Sequence, residues 1–164
     1  MKNILVVCQS GSVLSPIVAA LFNARSKHSW RAWSAASEPQ SRVNPYTYAV
    51  LKEAGIAHET ALSPVDWRAF SGASAPRLEV VLTVSEDVAW EMMPSWNGVP
   101  RLLHWALPDP MTARSSAVER FGLVRAWCDL AVARVEMFLA EEVTTRAAGP
   151  DNDNRGIRLR GVGT

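Results

Sequence analysis

The chain has 164 residues, of which 48% are hydrophobic and 20% are charged, and its formal net charge is +1. This length fits one domain with a complete hydrophobic core, and the balanced charge gives no basis for a nucleic-acid or membrane partner. No run of residues approaches the roughly 20 apolar residues that a membrane-spanning helix needs, and no signal peptide is expected at the N-terminus.

The first half of the chain alternates between strand and helix patterns. Its first apolar run is continuous, which is typical of a strand buried in a parallel sheet. Asn44-Pro45 and Gly55 mark the two ends of a helix, and Pro16 is tolerated in a first helical turn, where an N–H has no partner in any case. The predicted elements are a strand over residues 4–7, a helix over 15–24, a strand over 31–35, a helix over 44–54 and a shorter helix over 63–70.

The second half continues this alternation and ends in a long helix. Ser85, followed by two acidic residues, predicts a capped helix start. The predicted elements are a strand over residues 80–84, a helix over 85–92, a strand over 101–105, a proline-rich loop over 108–110 and a helix over 116–142. We expect one domain over residues 1–146 and a disordered polar tail over 147–164.

Strands that alternate with helices favour the α/β class, here a three-layer open sheet of about four parallel strands flanked by helices. Ligands of such sheets bind outside the carboxyl ends of the strands. Cys8 ends the first predicted strand, so the expected site begins there.

The segment from Cys8 to Ser15 combines a thiol, a short loop and a helix start. N–H groups at a helix N-terminus bind phosphate-like anions and stabilise a thiolate. Ser15 can cap the helix and donate its hydroxyl to the thiolate, and small loop residues let the N–H groups converge into an oxyanion nest. The expected anion-binding loop consists of Gln9, Ser10, Gly11, Ser12, Val13 and Leu14.

The cysteines and histidines predict neither a disulfide framework nor a metal site. Cys8 and Cys128 are the only two thiols, and without a secretion signal they fit a reducing cytoplasm. His28, His58 and His104 lack metal-ligand spacing with each other or with the cysteines. We therefore expect no metal and no cofactor.

The loop resembles the Cys-x5-Arg-Ser loop of the low-molecular-weight protein tyrosine phosphatases and of the arsenate reductases built on the same fold. Asp109-Pro110 stands where that family has its general acid, and His104-Trp105 before it favours the arsenate-reductase branch. The resemblance implies a thiol nucleophile at Cys8, a general acid at Asp109 and a supporting serine at Ser15. Further similar segments are residues 16–23, 33–36, 43–56, 80–94 and 103–110, so that the resemblance spans residues 2–142.

The chain departs from the family pattern where the substrate is held. Leu14 replaces the arginine that grips the oxyanion with two parallel hydrogen bonds. Gly11 replaces the usual asparagine, which is a smaller change because glycine adopts a left-handed conformation freely. Ser85 and Met93 stand in the region where the reductases carry their redox cysteines, and Cys128 matches neither position.

Two hypotheses follow from these residues. In the first, Cys8 attacks a phosphate or arsenate oxyanion, Asp109 protonates the leaving oxygen, and the N–H groups from Gln9 to Ser15 hold the anion weakly; arsenate reduction would then need an external thiol such as glutathione, a mycothiol-like compound or a thioredoxin-type reductant. In the second, the chain is a catalytically inactive relative that acts as a binding or regulatory module.

Structural interpretations stand beside these functional ones. Cys8 can be a small buried hydrophobic residue, Asp109 can stabilise a turn between two prolines, and Ser85 can be a helix cap. Cys128 is expected in the core. The resemblance makes Arg42 a candidate substitute for the missing cation.

Overall fold

The structure is a computed structural model of the chain, and we describe residues 1–56, 62–89, 91–112 and 114–148. None of the helices in these ranges combines the length and the hydrophobicity that a membrane-spanning segment needs. The elements are β1 (Lys2–Cys8), α1 (Leu14–Arg25), β2 (Trp30–Ala36), α2 (Pro45–Glu53), a 3₁₀ helix (Trp67–Phe70), β3 (Val80–Thr83), α3 (Glu86–Ala89), β4 (Arg101–His104) and α4 (Ala117–Ala148).

The four strands form one parallel sheet in the order β2-β1-β3-β4. Cys8 pairs with Ala36 of β2, and Val7 pairs with Thr83 of β3. The carboxyl ends of β1, β2 and β3 therefore meet at one edge of the sheet. The predicted four-stranded parallel sheet flanked by helices is confirmed.

Side chains of β1 alternate between two hydrophobic cores because successive residues of a strand point to opposite faces of the sheet. Ile4, Val6 and Cys8 join one core together with residues of α1, α2 and α4. Leu5 and Val7 join the other, where the 3₁₀ helix and α3 contribute Trp67, Phe70 and Val88. Helices on both faces make the domain three-layered, and Cys8 faces the α1 and α4 side.

α1 begins at Leu14, one residue before the predicted start, and its N-cap residue is Val13. Valine has no side-chain oxygen, and the helix has no side-chain capping hydrogen bond. The prediction that Ser15 caps α1 is therefore wrong. Ser15 lies inside the first turn and is fully buried, which frees its hydroxyl for contacts across the helix start.

α2 confirms the predicted boundary signals. The side chain of Asn44 accepts a hydrogen bond from the Tyr46 N–H at 2.9 Å and so caps the helix. Gly55 after the helix adopts φ +70°, the left-handed conformation that glycine allows.

The predicted helix over residues 63–70 is largely wrong. Only Trp67–Phe70 are helical, as one 3₁₀ turn, because Asp66 is extended (φ −63°, ψ 130°) and caps that turn by accepting a hydrogen bond from the Arg68 N–H. Asp66 also forms an isolated parallel bridge with Ala36. The segment therefore continues the sheet edge where the sequence pattern predicts a helix.

Two other predicted boundaries differ from the structure. α3 ends at Ala89, before the predicted end near residue 92, and Trp90 lies outside the described residues. α4 continues to Ala148, past the predicted end at 142 and into the segment predicted as tail. The rest of that segment, residues 149–164, lies outside the described residues.

Glu142 of α4 joins two strands of the sheet through ion pairs. Lys2 Nζ of β1 lies 2.8 Å from its carboxylate and Arg101 Nη2 of β4 lies 2.6 Å from it. Burial opposes ionisation of Glu142, but the hydrogen bonds from Lys2 and Arg101 outweigh this effect and hold its pKa below the ordinary value of 4.5. The ionised carboxylate thus fastens α4 to the sheet.

Acidification is expected to remove this contribution. Because the folded-state pKa of Glu142 is lowered, its stabilisation is complete above the unfolded-state pKa near 4.5 and is lost as the pH falls through the folded-state value. Glu142→Gln should therefore flatten the decline of unfolding free energy below pH 4.5 in denaturant titrations. Glu141→Gln, at the neighbouring exposed residue, is the control; equal pH dependence in the two variants would contradict the prediction.

Candidate functional site

The sulfur of Cys8 lies at the carboxyl end of β1 with two polar contacts. The N–H of Gly11 donates to Cys8 Sγ at 3.2 Å, and Ser15 Oγ lies 3.1 Å from the same sulfur. Cys8 itself is 2% exposed. The loop thus curls around the thiol, and the structure brings together Cys8, Gly11 and Ser15 as the sequence predicts.

The Ser15 hydroxyl connects the thiol to β2. Ser15 Oγ lies 2.9 Å from Ser34 Oγ, and it donates to the carbonyl of Ala35 at 3.2 Å. In this arrangement the Cys8 thiol donates to Ser15 Oγ. If Cys8 is ionised, the Ser15 hydroxyl can rotate and donate to the sulfur while its oxygen accepts from Ser34.

Several N–H groups of the loop have no acceptor within the part of the chain that the structure describes. Those of Gly11 and Ser12 are used, by Cys8 Sγ and by Ser10 Oγ at 3.3 Å. The first turn of a helix leaves its N–H groups without intrahelical partners, and α1 has no side-chain cap. An anion above Cys8 can satisfy such groups; those without a described acceptor belong to Ser10, Val13, Leu14 and Ser15.

Gly11 is favoured by both conformation and space. Its φ is +66°, and a Cβ built there would lie 3.0 Å from Ala36 Cβ and 3.2 Å from Pro64 Cβ. The left-handed conformation turns the loop so that the Gly11 N–H reaches the sulfur. A side chain at this position, including the asparagine usual in the family, meets β2 and the residue 62–66 segment.

Ser85, which lies between β3 and α3, supports the loop. Its Oγ accepts a hydrogen bond from the Gln9 N–H at 3.2 Å, and the residue is 6% exposed. The hydroxyl therefore occupies a position beside the residue that follows the nucleophile. This contact joins the connection between β3 and α3 to the anion loop, which the interpretation of Ser85 as a helix cap did not include.

Leu14 is part of the hydrophobic core. It is 3% exposed and belongs to the same cluster as Cys8, Ile17 and Val18. The side chain that stands in place of the family's arginine therefore packs beneath the loop. Burial of a leucine contributes about 1.5–3 kcal/mol to stability.

Asp109 lies in the loop after β4, as predicted, and makes local contacts. Its Oδ1 accepts a hydrogen bond from the Met111 N–H at 2.7 Å, and its carbonyl accepts one from the Thr112 hydroxyl at 2.9 Å. These are turn contacts of the kind that the structural interpretation expects. No hydrogen bond among the described residues joins Asp109 to Cys8, so its role as general acid stays a prediction.

Cys128 differs from Cys8 in its surroundings. It lies in the core on α4 and is 4% exposed, and burial, with smaller effects of the Asp129 and Glu53 carboxylates, raises the pKa of its thiol to about 11. It is therefore protonated at neutral pH. Within the described residues, no group of three His, Cys, Asp or Glu side chains could hold a metal ion.

Three residues that complete the loop are not indicated by any local pattern in the sequence. Ser34 contacts Ser15 from β2, and Pro64 limits the space at Gly11. Thr47 of α2 is fully buried, and its hydroxyl donates to the Ser12 carbonyl at 2.8 Å. These contacts join residues that are distant in the chain, and only the fold brings them together.

The family model for low molecular weight phosphotyrosine protein phosphatases matches residues 3–144. The chain belongs to this family. The match covers the four strands, apart from Lys2, and the whole anion loop, so the resemblance of the Cys8–Ser15 segment reflects family membership. No curated protein matches the chain in sequence.

Solved structures of other family-like proteins share the fold. An arsenate reductase from Archaeoglobus fulgidus has a TM-score of 0.66 at 23% identity, over 84% of this chain and 98% of that one. The YwlE arginine phosphatase from Geobacillus stearothermophilus has a TM-score of 0.64 at 19% identity, over 92% and 98%. A thioredoxin-dependent arsenate reductase from Corynebacterium glutamicum has a TM-score of 0.60 at 19% identity, over 88% and 64%. At these identities the likeness shows the fold.

Replacement of Gly11 by alanine is expected to destabilise this family member more than replacement of a glycine with the same backbone conformation. Gly11→Ala combines left-handed strain with overpacking against Ala36 and Pro64, which together cost about 2–5 kcal/mol. Gly55→Ala, at φ +70° with nothing within 4 Å of the added Cβ, should cost about 1–2 kcal/mol. Denaturant unfolding measures both; equal losses would show that the packing at Gly11 is looser than described.

Proposed function

We propose that the chain is an oxyanion-processing member of the low-molecular-weight phosphatase family, of the arsenate-reductase branch, with Cys8 as the nucleophile and weak activity. The observation that carries the proposal is the surroundings of the Cys8 sulfur. A loop N–H and a serine hydroxyl contact it, and further loop N–H groups without described acceptors adjoin it.

Cys8 acts first in this proposal. Its thiolate attacks the phosphorus or arsenic atom, a bond forms from sulfur to that atom, and the bond to the leaving oxygen breaks. Ser15 supports the thiolate by donating its hydroxyl, and Ser34 in turn holds Ser15. The remaining N–H groups of the loop hold the equatorial oxygens of the anion through the transition state.

Asp109 is the proposed general acid. It protonates the leaving oxygen and afterwards accepts a proton from the water that releases the anion from sulfur. Asp109 is partly buried in the loop after β4. That loop begins at Trp105, whose N–H donates to the Thr83 carbonyl at the carboxyl edge of the sheet. The start of this loop therefore lies at the same edge of the sheet as the carboxyl end of β1, which supports the proposal.

Leu14 accounts for the weak activity in this proposal. Loss of one oxyanion donor lowers a rate by roughly 10²–10³, or about 3–4 kcal/mol. An arginine supplies two donors and a charge, so its replacement by a buried leucine is expected to cost at least this much.

For arsenate, the two-electron reduction needs thiols from outside the chain. Ser85 offers a hydroxyl beside the loop, and Cys128 is held in the core with a raised pKa. An external thiol, such as glutathione, a mycothiol-like compound or a thioredoxin-type reductant, would attack the sulfur of the Cys8–arsenic adduct, release arsenite and leave a mixed disulfide. A second thiol would then restore Cys8.

Hydrolysis of a small aryl phosphate tests the role of Cys8. Cys8→Ser should abolish turnover, because a serine hydroxyl is a far weaker nucleophile than a thiolate. Cys128→Ala is the control, since its thiol is buried and protonated. Turnover that is unchanged in Cys8→Ser would rule out the mechanism.

The second candidate function is a catalytically inactive binding or regulatory module. The burial of Leu14 at 3% exposure, in the cluster that also contains Cys8, supports it. A position that holds the substrate in the family here strengthens the core.

Leu14→Arg tests the role that both candidates assign to Leu14. An arginine at this buried site leaves a charge without a partner and should destabilise the protein by roughly 1–3 kcal/mol or more, but inorganic phosphate should restore stability by binding the guanidinium. At the same phosphate concentration, we expect the rise in melting temperature to be several times larger in Leu14→Arg than in the natural protein. Such a gain would mean that the native loop holds phosphate poorly.

Leu14→Met is the matched control because it preserves volume and lack of charge. Its response to phosphate should equal that of the natural protein. Tight phosphate binding by the natural protein, with no gain in Leu14→Arg, would contradict the proposed role of Leu14. It would also exclude the inactive-module candidate, which assumes that the protein has lost the ability to bind the anion.

A further inference from the structure

A segment between β2 and α2 runs along the anion loop, and we refer to residues 37–44 as the strap. Four N–H groups of the strap donate to carbonyls of Cys8 and the loop in the same chain order, so the two backbones are held side by side. The bonds run from Ser37 to Cys8 at 3.2 Å, from Glu38 to Gln9 at 2.9 Å, from Gln40 to Ser10 at 3.0 Å and from Asn44 to Ser12 at 3.1 Å.

Ser12 fixes the position of Arg42 within the strap. The Ser12 hydroxyl donates to the carbonyl of Arg42 at 3.3 Å, and the Ser12 carbonyl accepts from both Asn44 N–H and the Thr47 hydroxyl. Ser12 is 5% exposed and Thr47 is fully buried. The backbone of Arg42 is therefore held beside the middle of the anion loop by a part-buried hydrogen bond.

Arg42 is the one basic residue in the loop and the strap together, over residues 8–16 and 37–44. Its side chain is exposed, and no carboxylate within the described ranges lies within ion-pair distance of it. The guanidinium of Arg42 has no acidic partner among the described residues, and its backbone is held beside loop N–H groups that have no described acceptor. It can therefore bind an anion.

We propose that Arg42 supplies the positive charge that Leu14 does not, by binding the oxyanion from the rim of the loop. This inference rests on the proposed function. A guanidinium binds two oxygens of a phosphate-like anion with parallel hydrogen bonds. Held on the strap, it approaches the anion from solvent, whereas the N–H groups of the loop hold the inner oxygens.

The test measures the binding of inorganic phosphate to the full chain. The two readouts are calorimetry and the protection of Cys8 from alkylation by iodoacetamide. Arg42→Ala should weaken phosphate binding by about tenfold to a hundredfold, the usual effect of losing hydrogen bonds from a charged group. Arg42→Lys should restore part of the affinity because it keeps the charge but not the paired donors. The side chain of Arg42 is exposed, so these variants are expected to fold.

Two control variants separate this effect from others. Glu38→Gln removes a charge of opposite sign from the same strap and should leave phosphate binding as tight or tighter. Arg134→Ala removes an exposed arginine from α4 and should have no effect. Equal weakening by Arg42→Ala and Glu38→Gln would show that the strap acts structurally and would overturn the inference.

The outcomes also separate this inference from the proposed function. Phosphate that binds the natural protein, protects Cys8 and is held equally well by Arg42→Ala would refute the role of Arg42 and leave the proposed function intact. Absence of both binding and protection in the natural protein would refute the two together. In a Leu14→Arg background the effect of Arg42→Ala should shrink, because the two guanidinium groups are then redundant.

Discussion

The hydroxyl of Ser15 is the contact on which the geometry of the site depends. It lies in the first turn of α1, reaches the sulfur at the end of β1, and bonds to Ser34 and Ala35 of β2. One buried hydroxyl thus joins the nucleophile, the helix start and the neighbouring strand. The N-cap residue of α1 is Val13 and not Ser15. The Ser15 hydroxyl therefore does not cap the helix and is available for these contacts.

Leu14 and Ser15 divide the helix start between stability and chemistry. Adjacent residues in the first turn of a helix point about 100° apart, so one of them can enter the core while the other faces the thiol. Here Leu14 takes the core position and is 3% exposed. The N–H groups of both residues remain available, and the anion-binding capacity that survives is that of backbone dipoles. The loop itself carries no formal positive charge.

The sequence predicts those elements whose boundaries are set by residues close together in the chain. The apolar run before Cys8, the Asn44 cap and Gly55 place β1 and α2 correctly because their causes lie within a few residues. The helix predicted over 63–70 fails because Asp66 pairs with Ala36, which is distant in the chain. In the same way, the sequence shows that Gly11 tolerates a positive φ, but the tight contact that a Cβ there would make with Ala36 and Pro64 follows from tertiary packing. The candidate residues Cys8, Gly11 and Ser15 are together as predicted, whereas the catalytic roles assigned to them and to Asp109 remain predictions.

A cation on the strap affects the stability of the fold differently from a cation at position 14. A side chain at position 14 lies in the cluster that contains Cys8, Ile17 and Val18, so a charge there must be balanced by an anion or destabilise the core. Arg42 is exposed and is fixed only through its backbone, so its charge costs the folded state little when no anion is bound. Transfer of the charge from the helix to the strap would therefore separate stability from anion binding: the empty protein keeps a hydrophobic packing contact, and the affinity for an oxyanion is set by a solvent-exposed guanidinium that salt screens.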